Sequence, residues 1–194
     1  MIKKIILIML LFISSLYSDD VSDLKHYFNL KLNNILTIIQ DKTLTKQSRD
    51  NLIIKDLNSI FDFELMGKLS IKRQWRSLNS YEKQEFIKLY IKRMQKSYSS
   101  KLDNYKNQKV QISDILKVKS NRIIIKTKII SDDSTYSINY KFYKPKKQKD
   151  GKYKWLIYDV VIEGISILKN DIIDFKEFLK SHTIQELLTK LKSI

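Results

Sequence analysis

The chain has 194 residues, a length that suits one domain. It is 43% hydrophobic, with 11 Tyr, 8 Phe and 2 Trp, enough to fill a core, which excludes a disordered chain; only 3 Gly and 1 Pro argue against a repeat array or a loop-rich sandwich. The formal charge of +16 rests on 32 Lys and only 5 Arg, and the absence of cysteine excludes disulfides, thiol catalysis, a lipidated N-terminus and cysteine-type zinc sites.

The first residues read as a secretory leader. Lys3 and Lys4 form a basic start, and residues 5–13 form an apolar run too short to span a membrane. Small residues Ser14, Ser15 and Ser18 follow, and cleavage is expected after Ser18, leaving residues 19–194 as a single domain; Leu16 suits the −3 position poorly, so a site nearer Ser15 is the alternative. Loss of Lys3 and Lys4 lowers the charge from +16 to +14. An exported chain in which lysine dominates arginine does not read as a nucleic-acid binder, because base reading and phosphate forking favour arginine.

Residues 21–40 carry apolar side chains at helical spacing, as do residues 46–60. Asp62 is the expected N-cap of a short helix through Met66 and Leu69. Gly67 lies inside that helix at a cost of about 1 kcal/mol, which points to a close packing contact. Asn79 and Glu82 have capping-box spacing and open a helix to about residue 105, with Phe86, Tyr90, Met94 and Tyr98 in one stripe.

After Asn107 the period changes to two. Strands are expected at residues 110–118, 122–130, 135–143 and 155–162. In the third, Tyr136, Ile138, Tyr140 and Phe142 face one way, and Ser137, Asn139 and Lys141 the other. The lysine-rich stretch at 144–152 reads as a solvated hairpin loop. Gly164 then leads into a helix over 165–179, and Thr183 with Glu186 caps a last one. Helices, a run of strands and helices again predict an α+β fold: a curved antiparallel meander of about four strands with helices on one face.

Chemistry is sparse. His26 and His182 stand apart and read as surface residues; the adjacent pairs Asp19-Asp20 and Asp132-Asp133 do not form a metal or acid/base pair. No Gly-rich phosphate loop is present, and neither a metal nor a cofactor is expected. Asp159 and Glu163 lie in the apolar strand region, where a buried carboxylate needs partners. The aromatic stripe of the third strand either packs as ordinary core or lines a cavity.

Three segments carry a resemblance. They are Phe61-Asp62-Phe63-Glu64-Leu65-Met66 with Lys72-Arg73-Gln74-Trp75-Arg76; residues 79–110; and residues 136–168, with their paired strands around Trp155 and Asp159. In that order the chain resembles the MlaC family of periplasmic phospholipid-binding proteins, also described as toluene-tolerance auxiliary proteins. It departs where the family usually has Gly or Ala and this chain has Lys72, and where the family has Pro and this chain has Tyr81. The resemblance implies an NTF2/cystatin-like fold and a periplasmic, non-enzymatic carrier. Such a carrier shuttles phospholipid between an outer-membrane lipoprotein–porin complex and an inner-membrane ABC transporter with an MCE-domain subunit. On that reading, acyl tails meet Tyr136, Ile138, Tyr140, Phe142, Trp155 and Ile157 of the sheet, Phe86, Tyr90 and Met94 of the helical wall, and Ile125 and Ile129. The competing readings are an exported NTF2-like enzyme using Tyr140 with Asp159, or a periplasmic chaperone.

Overall fold

The computed structural model describes residues 20–98, 108–131 and 134–193 with their side chains, and 2–19 and 99–102 as helix backbone alone. The leader and cleavage site expected at residues 1–18, the pair Asp132-Asp133 and the end of the long helix near residue 105 lie outside the fully described residues. Among the described residues no helix is long and apolar enough to cross a membrane.

Helices α1 (Ile2–Gln40), α2 (Lys46–Ile60), α3 (Phe63–Ser70), α4 (Gln74–Ser77) and α5 (Ser80–Leu102) come first. Strands β1 (Lys109–Lys119), β2 (Arg122–Ile130), β3 (Thr135–Tyr143), β4 (Leu156–Ile162) and β5 (Ile165–Ser166) follow, then α6 (Ile167–Phe178) and α7 (Ile184–Lys192). The strands form one antiparallel sheet in chain order. Register shifts in β1 and between Lys141 and Phe142 are bulges, which bend the sheet and give it a concave face.

Local chemistry sets the helix starts. Asp62 accepts from Leu65 N at 3.0 Å. Asn79 and Glu82 exchange both bonds of a capping box at 2.9 Å, and Thr183 with Glu186 does the same for α7. Two elements depart from the sequence reading. The one-turn α4 has too few residues to show a period. The chain also does not pass directly from Gly164 into a helix: Glu163 (φ 48°) and Gly164 (φ 81°) form a two-residue turn with both φ positive, which returns the chain as β5 before Ser166 caps α6. Lys72 takes φ 37°, a left-handed position that suits glycine better than lysine.

Gly67 meets the expectation of close packing. A Cβ there would lie 2.8 Å from Ile87 Cδ1 and 3.1 Å from the Tyr90 ring, so the glycine lets α3 approach α5. Gly67→Val is expected to destabilise the fold by about 2 kcal/mol, because a branched side chain overpacks the contact. Gly67→Ala should cost less, since the end of Ile87 can shift and alanine favours the helix. Urea denaturation checks this, and a Val variant as stable as the parent would remove the packing argument.

Candidate functional site

Strand register brings one row of side chains onto the concave face. Ile123 pairs with Phe142, Ile125 with Tyr140, Thr127 with Ile138 and Ile129 with Tyr136, and β4 adds Val160 and Ile162 beside Tyr140 and Ile138. Burial falls along this row. Ile123, Ile125, Thr127 and Phe142 are buried, Ile138 and Tyr140 are half-buried, and Tyr136 is 49% exposed at the far rim. The buried Thr127 hydroxyl is satisfied by Ile138 O at 3.0 Å.

Phe86 and Tyr90 of the helical wall pack against Phe175 of α6. Phe86, Tyr90 and Met94 recur on one face of α5 and are at most 2% exposed. They share a single core with Ile125, Phe142, Trp155 and Ile157; Ile138 and Tyr140 pack against it. Nine of the eleven residues expected to meet tails are thus brought together, whereas Ile129 and Tyr136 form a cross-strand pair at the rim. Sequence reasoning left Phe28 of α1 out of the site. Its ring lies 4.9 Å from Tyr140 and 5.9 Å from Phe142, capping the middle of the row. Its place in an apolar helical stripe was visible; its seat on the sheet was not.

Three buried aspartates fasten the helices around this face. Asp159 accepts from Lys141 Nζ at 2.8 Å, Ser166 Oγ at 2.8 Å and Leu168 N at 3.1 Å, tying β4 to the start of α6. Asp159 pairs with Lys141 in the ladder and so lies on the face opposite Tyr140, whose cross-strand partner is Val160. Burial pushes the Tyr140 phenol up to about 12. The geometry therefore does not bring Tyr140 and Asp159 together as an acid/base pair.

Asp171 accepts from Tyr90 Oη at 2.7 Å and pairs with Arg93 at 2.6 Å. Asp62 is bonded by Leu65 N, Lys149 Nζ and Tyr143 Oη. Burial alone would push the Asp62 carboxyl up, but these donors hold it below the usual carboxylate range.

The loop at 144–152 is not simply solvated, contrary to the sequence reading. Lys149 reaches Asp62, and Lys152 donates to the carbonyls of Asn58 and Phe61. Lys144 pairs with Asp20 at 2.7 Å. Just past the loop, Lys154 pairs with Asp23 at 2.8 Å, and Tyr153 stacks on Tyr27 at 3.7 Å. The contacts of Lys144, Tyr153 and Lys154 hold α1, and those of Lys149 and Lys152 hold the end of α2 and the start of α3. His26 and His182 are exposed, and among the described residues no cluster of His, Asp or Glu could hold a metal.

The family model for the MlaC protein matches residues 31–193. The chain belongs to the MlaC family. It is 28% identical over 142 residues to the intermembrane phospholipid transport system binding protein MlaC of Haemophilus influenzae, covering 73% of this chain and 65% of that relative. The solved structure of a phospholipid-binding protein from Ralstonia solanacearum, in complex with a phospholipid, superposes with a TM-score of 0.73. That superposition covers 87% of this chain and 94% of the other at 17% identity, and shows that the MlaC fold seen here is shared with it.

Proposed function

We propose that this MlaC-family chain is a phospholipid carrier that shelters acyl tails between the concave sheet face and the wall made by α1 and α5. One observation carries the reading: apart from Thr127 the concave row is aliphatic and aromatic, and its exposure rises from the buried Ile125 and Phe142 to the rim at Ile129 and Tyr136. Tails enter at the half-buried end, past Ile138 and Tyr140, and lengthen into the core by displacing side chains such as Phe28. The Haemophilus relative's name and the lipid held by the Ralstonia protein support this chemistry.

The energetics favour a sheltered route. A two-tailed phospholipid carries on the order of 30 methylenes, and at about 0.8 kcal/mol each their transit through water costs more than roughly 20 kcal/mol. The headgroup can stay wet, so loading and release are a binding cycle without bond chemistry, which makes the chain a carrier and not an enzyme. Export through a leader cleaved after Ser18 would place the carrier in the periplasm, between an outer-membrane lipoprotein–porin complex and an inner-membrane ABC transporter with an MCE-domain subunit.

Organic extraction of the purified protein followed by mass spectrometry tests the reading. About one phospholipid per chain is expected. Extracts free of phospholipid, from protein that also takes up none from vesicles, would overturn it.

A further inference from the structure

The outward side of α5 carries a second apolar surface, which the concave face does not use. Trp75, Ile87 and Ile91 floor an open groove of about 770 Å³ beside α3 and α4. Lys68 and Lys83 stand over the Trp75 ring at 5.6 and 5.8 Å. Lys88 and Lys92 continue the cationic rim along α5. Lys68 is paired with Glu64, but among the described residues Lys83, Lys88 and Lys92 have no carboxylate within ion-pair distance. Between Gln84 and Gln95 the groove follows α5 for roughly 16 Å, about three helical turns.

We propose that this groove docks an acidic amphipathic helix of a partner protein. The helix lays its apolar stripe on Trp75, Ile87 and Ile91, and its flanking carboxylates meet Lys83, Lys88 and Lys92. A helix fits better than a hydrocarbon chain because the groove is open along its length: a lone tail there stays wetted on one side, whereas a helix satisfies its own backbone and hides only one face. It fits better than a bilayer because the apolar floor is recessed below the lysines, and interfacial binding needs apolar groups that project. The proposal is independent of the lipid content of the protein.

The two tryptophans make the test direct. Trp155 is 1% exposed, so Trp75 reports on the groove, and Trp75→Phe serves as the silent control. The probe is a blocked acidic peptide of about four turns, with leucines at i, i+3, i+4 and i+7 and glutamates beside them. Its titration is expected to shift Trp75 emission saturably and more weakly as salt rises. Lys88→Glu with Lys92→Glu should weaken binding at least about tenfold, while Lys146→Glu with Lys147→Glu, the same charge change on an exposed loop, should weaken it less than about twofold. Equal weakening by both reversals, equal binding of a lysine-for-glutamate peptide, or a Trp75 shift given by phosphatidylglycerol vesicles and not by the peptide would each overturn the proposal.

Discussion

Replacing Asp171 with alanine is expected to destabilise the protein by about 3 kcal/mol, read as a lowered urea midpoint. Asp171 is 4% exposed and serves two partners from another helix. It accepts from Tyr90 Oη and pairs with Arg93, so it joins α6 to α5. Burial, and then the Asp171 charge, push the Tyr90 phenol well above its ordinary range, which keeps it a neutral donor. Alanine leaves a buried hydroxyl unmet and a guanidinium uncompensated. The Arg93 side chain is 23% exposed and lies over the Tyr90 and Phe175 rings at 5.2 and 5.3 Å, which holds the loss at the lower end of the range for broken buried pairs. Asp171→Asn, which keeps an acceptor for Tyr90, should fall between the two. An alanine variant within about 1 kcal/mol of the parent would mean that the pair contributes no more than an exposed one.

The second large effect concerns loading. Ile138→Glu is expected to cut the phospholipid recovered from purified protein at least about tenfold, because a carboxylate amid aliphatic side chains costs several kcal/mol to strip of water. Ile138 is half-buried on the concave row, opposite Thr127 and beside Ile162, where tails pass on the proposed route. Ile130 provides the matched control. It pairs with Thr135, one step out of phase with Tyr136, and so points to the other face at 36% exposure. Ile130→Glu should therefore leave lipid recovery unchanged. Circular dichroism establishes that both variants are folded. Full lipid recovery from folded Ile138→Glu protein would place the tails elsewhere.

Much of this architecture could be read from local pattern. The alternation in β3, the run of β-branched and basic residues in β2 and the period in α2 mark those elements to the residue. Both capping boxes were legible, since their partners sit three residues apart. What escaped depends on distance along the chain. Tyr90 and Asp171 are 81 residues apart, and no local signal links them. Lys149 reads as a loop cation until Asp62, far upstream, is seen beneath it. The apolar candidates of the concave face were legible as a face because strands alternate. How burial is graded along that face was not, since it depends on where α1 and α5 lie. The Trp75 groove was hidden for the same reason: its floor is assembled from two helices.

Among the described residues the sheet is a meander in which each strand ladders with the strands next to it in the chain, and one bridge, Phe61 to Ile157, reaches back to the helical half. Each ladder can therefore zip from its own hairpin, the longest connection being the twelve residues between β3 and β4, with no remote strand to wait for. The helices from both ends would then settle onto a surface already curved to receive them.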